Sequence, residues 1–280
     1  MIMQGLLVAL LGASFGSFAG VIIYRWPLGL SLVPGSFCAS CKKNIRPWHN
    51  IPIISWLKLG GRCAYCQAPF GLRPLVLEVI FLMCAIALYM KVGLSLTLID
   101  KFGFVFLLIC LAYIDLDTFF LPLSLIISLF LWSALFCVIY YYAPQLFIAP
   151  AKPIALLEPM IIKKIQGFSL SDRLFGAIFG LLGFSLVNVV ASAIFRRSGR
   201  ISKGAWAMGW GDPLLLMAIG LAVGLSHLVL VIFIASFLGS VVGIVMRLWK
   251  KDSQVAEGIA PFAIPYGPFL AIAGIYVYLL

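Results

Sequence analysis

"KFGFVFLLICLAYIDLDTFFLPLSLIISLFLWSALFCVIYYY", residues 101–142, decides the fold class. Lys101, Asp115 and Asp117 are its only charges. On either side of "IDLDTFFLP" an apolar run approaches the roughly 20 residues that a helix needs to cross a bilayer. An acid is costly near lipid, so Asp115 and Asp117 count as functional candidates by default.

The rest of the chain has the same character. Of 280 residues, 64% are hydrophobic and 10% charged, and the mean hydropathy is +1.14. Soluble domains carry about a quarter charged residues. The expectation is an all-α polytopic membrane protein with about eight transmembrane helices and a small cytoplasmic zinc-binding loop domain. Spans are read at approximately 2–24, 74–90, 97–114, 119–143, 174–195, 213–226, 227–246 and 262–280. The weakest boundary is the junction at Ser226 and His227. The first span has no basic residue before it and continues to Tyr24, so it is read as retained rather than cleaved. The domains expected are 1–25, the first span; 26–73, a tetracysteine loop; and 74–280, the membrane core. No internal repeat or low-complexity tract stands out.

Basic residues orient the spans. With the N-terminus outside, the inner loops hold Arg25, Lys42, Lys43, Arg46, Lys58, Arg62, Arg73, Arg196, Arg197, Arg200, Lys203, Arg247, Lys250 and Lys251, most of the 20 Lys and Arg. The net charge of +11 is then a topological signal with an attraction to anionic lipid. No nucleic-acid motif is present. The same assignment brings Asp115, ending the third span, and Asp212, starting the sixth, to one cytoplasmic boundary. Residues 144–173 are Pro-interrupted and expected as an external loop lying partly on the interface.

Cys38, Cys41, Cys63 and Cys66 make two CxxC pairs, a spacing suited to one closed tetrahedral zinc site. A disulfide pairing is the alternative, but a cytoplasmic loop is reducing. With four protein ligands no water remains to be activated, so the metal would be structural. Cys84, Cys110 and Cys137 lie in spans as small apolar fillers.

Asp212 in "GWGDP" has two readings. Asp before Pro213 suits a helix N-cap with proline at the first helical position. Alternatively, Gly209 and Gly211 let a substrate strand approach the backbone, and two facing carboxylates share a proton, one acting as base toward water and the other as acid toward a carbonyl. Only His49 and His227 could serve a serine or cysteine nucleophile, and His227 falls near the opposite boundary from the acids. Glu78, below Arg73, is read either as a local ion pair or as an acidic partner for a basic substrate. A non-enzymatic scaffold or ion-coupled transporter using Glu78, Asp115 and Asp212 is the competing class, although transporters often show two related halves.

Over nearly its whole length the chain resembles the prepilin leader peptidases, which are bifunctional peptidases and N-methyltransferases of type IV pilus and type II secretion systems. The resemblance rests on "GSFAGVIIYRWP", "CASCKKNIRPWHNIPIISWLKLGGRCAYC", Arg73 with Glu78, "IDLDTFFLP", "FSLSDRLFGAIFG", "GWGD" and "IPYGPFLAIAG". It implies catalytic Asp115 and Asp212 and the four cysteines as metal ligands. It also implies prepilin and pseudopilin substrates in a bacterial inner membrane, their leaders cut on the cytoplasmic side, typically after glycine. Methylation of the new N-terminus, often Phe, from S-adenosylmethionine would follow. The chain departs from the family pattern at Leu123, an acid in the usual LPD; at Leu214, commonly lysine; at Ala207, commonly glycine; and at Gly20, commonly asparagine. No GxGxxG marks a pocket for the methyl donor.

Overall fold

Prolines and glycines punctuate the apolar runs into helices. Pro74 sits in the first turn of one helix, where its missing N–H costs nothing, and Gly93, at φ +68°, stops it. The computed structural model describes residues 2–33, 35–147, 169–199, 206–249 and 265–280. Its α-helices are α1 (Ile2–Arg25), α2 (Ile54–Lys58), α3 (Arg73–Val92), α4 (Leu96–Thr118), α5 (Leu123–Tyr142), α6 (Leu170–Arg197), α7 (Gly211–Val223), α8 (Leu225–Trp249) and α9 (Gly267–Leu279). No strand forms among the described residues, only two isolated bridges. Most of the expected external loop, at 148–168, lies outside the described residues, as do the first three residues of the expected last span.

Six helices, α1, α3, α4, α5, α6 and α8, are long and apolar enough to cross a membrane. The chain is therefore an all-α polytopic membrane protein. Helices α7 and α9 are apolar but only 13 residues each, about 20 Å against a hydrocarbon core of about 30 Å. The tight junction expected near Ser226 falls at Gly224, whose φ of +79° ends α7 two residues earlier.

The chain divides into two units, Met1–Phe106 with Leu146–Lys152 and Leu107–Gln145 with Pro153–Leu280, the boundary falling within α4. In the first unit α1 packs on α3 through "GASFG". A Cβ at Gly12 would meet the Ala85 Cβ at 2.6 Å, and one at Gly16 the Glu78 Cα at 2.6 Å. Small residues four apart let two helix backbones close together where lipid offers no hydrophobic drive. Phe15 and Phe81 stack edge-on or tilted against Phe102 and Phe106 beside this seam. In the second unit α6 meets α7 the same way. A Cβ at Gly176 would reach the Gly220 carbonyl oxygen at 2.6 Å, and one at Gly180 that of Leu216. The core of this unit is α7, where Leu215, Leu216, Ala218 and Ile219 are fully buried, whereas many large side chains of α6 and α8 face outward.

Gly16→Val should lower stability by about 1–3 kcal/mol, because the added atoms meet backbone that cannot swing aside. Gly20→Ala, whose Cβ meets only the Leu77 Cδ1 at 3.8 Å, should be tolerated. Thermal unfolding in detergent separates the two.

Candidate active site and metal centre

Three helix ends build the acidic site of the second unit. Asp115 lies in the last turn of α4, whose end is fixed by Phe119 at φ +53° and by the Thr118 hydroxyl donating to the Ile114 carbonyl at 2.8 Å. Asp212 lies in the first turn of α7. Both are buried, and Asp115 is close enough to act electrostatically on Asp212. The two acids that the sequence reading brings to one boundary are thus within electrostatic reach of each other. The capping alternative for Asp212 is not realised: Trp210 is the N-cap, Gly211 is the first helical residue, and Asp212 follows it. The acid is inside the helix rather than at its cap.

The start of α9 completes the site. The Gly267 N–H donates to the Asp115 Oδ2 at 3.0 Å, and a Cβ at Gly267 would stand 2.6 Å from that oxygen. Only glycine admits the carboxylate there. Tyr266, within electrostatic reach of Asp212, shares a hydrogen bond with Ser236 at 3.0 Å and stacks on Phe184. Gly267 was missed as a site residue in the sequence. Its signal was the glycine before proline in "YGPF", which marks a helix start without saying what the start faces.

The remaining expected residues divide. At Gly211 the space of the missing Cβ is taken by Leu121, whose Cβ lies 2.8 Å away, so this glycine serves packing against Leu121. Gly209 has nothing nearer than the Gly211 nitrogen at 4.0 Å and leaves its backbone approachable. Asp117 is exposed, as is Leu123.

In the first unit the four cysteines converge, their sulfurs all within 4.8 Å of one another. Four sulfurs held about 2.3 Å from one ion stand about 3.8 Å apart. The Cys38–Cys66 and Cys41–Cys63 separations are 3.7 and 4.0 Å. Disulfides need about 2.05 Å, so the set fits a metal and not two bridges. Each CxxC is the same knuckle. Cys38 N–H donates to Lys43 and Lys42 N–H to Cys38, as Cys63 N–H does to Ala68 and Gln67 N–H to Cys63. Lys42 and Gln67 both sit at φ +59°. The similarity is structural and too short to register as a sequence repeat. Backbone N–H groups tune the sulfurs: that of Cys41 brings the Cys38 thiol down to about 6 despite desolvation. At Cys66 the Ala68 N–H favours the thiolate, but desolvation and the neighbouring thiols push it up to about 11.

Arg25 anchors this loop to α1. It is buried, donates to the carbonyls of Ser31 at 3.2 Å and Gly35 at 3.0 Å, and lies over the Phe37 ring. Glu78, also buried, accepts the Ile53 N–H at 2.6 Å. Nothing in the residue pattern pairs Glu78 with Ile53.

Comparison with known proteins agrees with this geometry. Residues 10–92 match the bacterial peptidase A24 N-terminal domain and residues 102–244 the type IV leader peptidase family. Three relatives are each named prepilin leader peptidase/N-methyltransferase. The Aeromonas hydrophila protein is 29% identical over 96% of this chain and 88% of its own length. The Pseudomonas aeruginosa protein is 30% identical over 95% and 86%. The Myxococcus xanthus protein is 32% identical over 85% and 62%. No solved structure matches the chain. One match spans all four cysteines and the other Asp115 and Asp212, and the chain belongs to the type IV leader peptidase family.

Proposed function

We propose that Asp115 and Asp212 are the catalytic dyad of a membrane aspartic endopeptidase that removes the basic leader from prepilins and pseudopilins. Supporting this is one observation above others: two buried acids, far apart in sequence, meet at helix ends in a chain of this family. The enzyme also methylates the new N-terminus, a reading supported by the N-methyltransferase in the relatives' shared name. Membership in a peptidase family sets the transporter and scaffold reading aside. We assign no residue to S-adenosylmethionine, the expected methyl donor, and the peptidase step is independent of it.

In this reading the two carboxylates face one another and share one proton. The ionised one takes a proton from water as the oxygen attacks the scissile carbonyl carbon, and the protonated one delivers its proton to the carbonyl oxygen. Collapse of the tetrahedral diol breaks the C–N bond, the protonated aspartate giving its proton to the leaving nitrogen while the ionised one takes a hydroxyl proton from the diol, which restores the dyad. Gly267 holds one oxygen of Asp115, so that carboxyl group keeps its direction through the cycle. The substrate is a strand unwound from a helix, and Gly209 offers it approachable backbone. By the distribution of basic residues, the active site faces the cytoplasm from the inner membrane, where leaders emerge.

The tetracysteine loop, 26–73, is read as a domain folded by structural zinc, held by Cys38, Cys41, Cys63 and Cys66. Zinc there supplies cross-linking and no Lewis-acid step, because all four positions are filled by protein.

Asp115→Asn and Asp212→Asn should each give folded, membrane-inserted protein with no cleavage of a co-expressed prepilin, read by mass spectrometry of its N-terminus. An amide cannot relay the proton. Asp117→Asn should keep substantial activity. Near wild-type processing by Asp212→Asn would sink the dyad.

Cys38→Ser or Cys63→Ser should release the metal and loosen residues 26–73 while leaving the helices in place. Metal analysis of the wild-type protein should find on the order of one zinc per chain, and less than half that would contradict a structural site.

Glu78 is given a second use, attracting the basic leader. Glu78→Gln keeps an oxygen for the Ile53 N–H while removing the charge. It should raise KM for a leader peptide severalfold, by about the 1 kcal/mol of an interfacial charge contact, and leave kcat nearly unchanged. An unchanged KM would reduce Glu78 to a brace for the Ile53 turn.

A further inference from the structure

The carboxylate of Asp212 is delivered by a segment that should not hold still. Residues 206–210 form no helix or strand, and Gly209 and Gly211 flank Trp210. Glycines widen the backbone's options, whereas a dyad needs its two acids in fixed register.

Helix α6 supplies what the segment lacks. Asn188 and Ser192, one helical turn apart, lie on one face of α6, and both are fully buried. The Asn188 amide makes a two-point contact with one residue: its Oδ1 accepts the Met208 N–H at 3.1 Å and its Nδ2 donates to the Met208 carbonyl at 3.0 Å. Ser192 Oγ accepts the Ala207 N–H at 2.8 Å and donates to Asn188 Oδ1 at 3.4 Å. Met208 N–H can only donate, so the amide orientation is fixed by its partner. Two consecutive backbone N–H groups and one carbonyl are thus paired by side chains, as a neighbouring strand would pair them. The pinned residues end four positions before Asp212, and the Asp212 N–H then bonds back to the Gly209 carbonyl at 3.4 Å. Trp206 and Trp210 close the outer side, ring to ring at 4.9 Å, with Arg196 over Trp206.

We infer that Asn188 and Ser192 are positioning residues of the peptidase, a side-chain clamp on Ala207 and Met208 that fixes the approach of Asp212 to Asp115. The inference rests on the dyad reading above. Buried polar groups in apolar helices are expensive, and these are spent on the backbone of this segment. They touch neither acid, so they act through the backbone alone.

The test uses the full-length protein in detergent with a prepilin substrate. Asn188→Ala should lower kcat by about tenfold to a hundredfold, the cost of misplacing a reacting group by about 1 Å, with KM within twofold of wild type. Ser192→Ala, which removes one oxygen and leaves the helix its best former, should lower kcat less. The double variant should be little worse than Asn188→Ala, since the two act as one unit. Hydrogen exchange reads the clamp without activity: the amides of Ala207 and Met208 should exchange slowly in wild type and fast in either variant. Fast exchange in wild type overturns the clamp. Slow exchange with wild-type kcat in both variants overturns its role in catalysis. Should Asn188→Ala fail to fold, Ser192→Ala decides both points. An inactive wild type would sink the dyad reading and the catalytic role with it, while exchange would still decide whether the clamp exists.

Discussion

The hydrogen bond from Gly267 to Asp115 is the contact on which the second unit is organised. Asp115 ends α4, and the C-terminal end of a helix carries partial negative charge that opposes a carboxylate. The N-terminus of α9 supplies the opposite field together with a directed N–H. Asp212 sits in the first turn of α7 and has the same favourable end beneath it. The two acids therefore lie where two helix N-termini begin, so one negative charge can be carried in an apolar surrounding. The far end of α7 is completed by charge of the other sign, Arg173 donating to the Ala222 carbonyl at 3.0 Å.

The two helices that begin at the acids, α7 and α9, have 13 residues each, fewer than a full crossing needs. Their starts leave non-helical backbone at 206–210 and 265–266, which lipid would not tolerate but a protein-lined or wet site does. The long helices α5, α6 and α8 of this unit present large apolar side chains outward, while the buried positions collect on α7. Close packing of α6 on α7 through Gly176 and Gly180 brings the clamp residues of α6 within reach of the segment before Asp212.

Class, long spans and the cysteine cluster were legible in the sequence because each has a signal that does not depend on partners: an apolar run of sufficient length, or four cysteines at a recurring spacing. The acid pair was legible through a chain of inference, from basic residues to topology to a shared boundary. What was not legible depended on which backbone meets which side chain. Gly211 and Gly267 look alike on the page, yet one admits Leu121 and the other a carboxylate. Asn188 and Ser192 sit in an apolar run and read as ordinary small polar residues of a span. Asp212 before Pro213 reads as a cap, and only the observed start at Gly211 separates a capping acid from one already inside the helix.

Glu78 shows the same dependence in the first unit. Its Oε2 accepts the N–H of Ile53, a β-branched residue at φ +64° and ψ −54°, and the Ile54 N–H bonds back to the Pro52 carbonyl at 2.6 Å. This is a γ-turn of the rare positive-φ kind, and holding a β-branched residue there costs about 1–3 kcal/mol. A hydrogen bond to a charged group returns about 1.5–3 kcal/mol, enough to offset that strain. Gly16 of α1 lies against the Glu78 backbone, so the seam between α1 and α3 sets the position of the carboxylate and, through it, the turn. The strain is thus borne by a buried acid at a helix seam, which gives Glu78 a structural reason to be present before any substrate arrives.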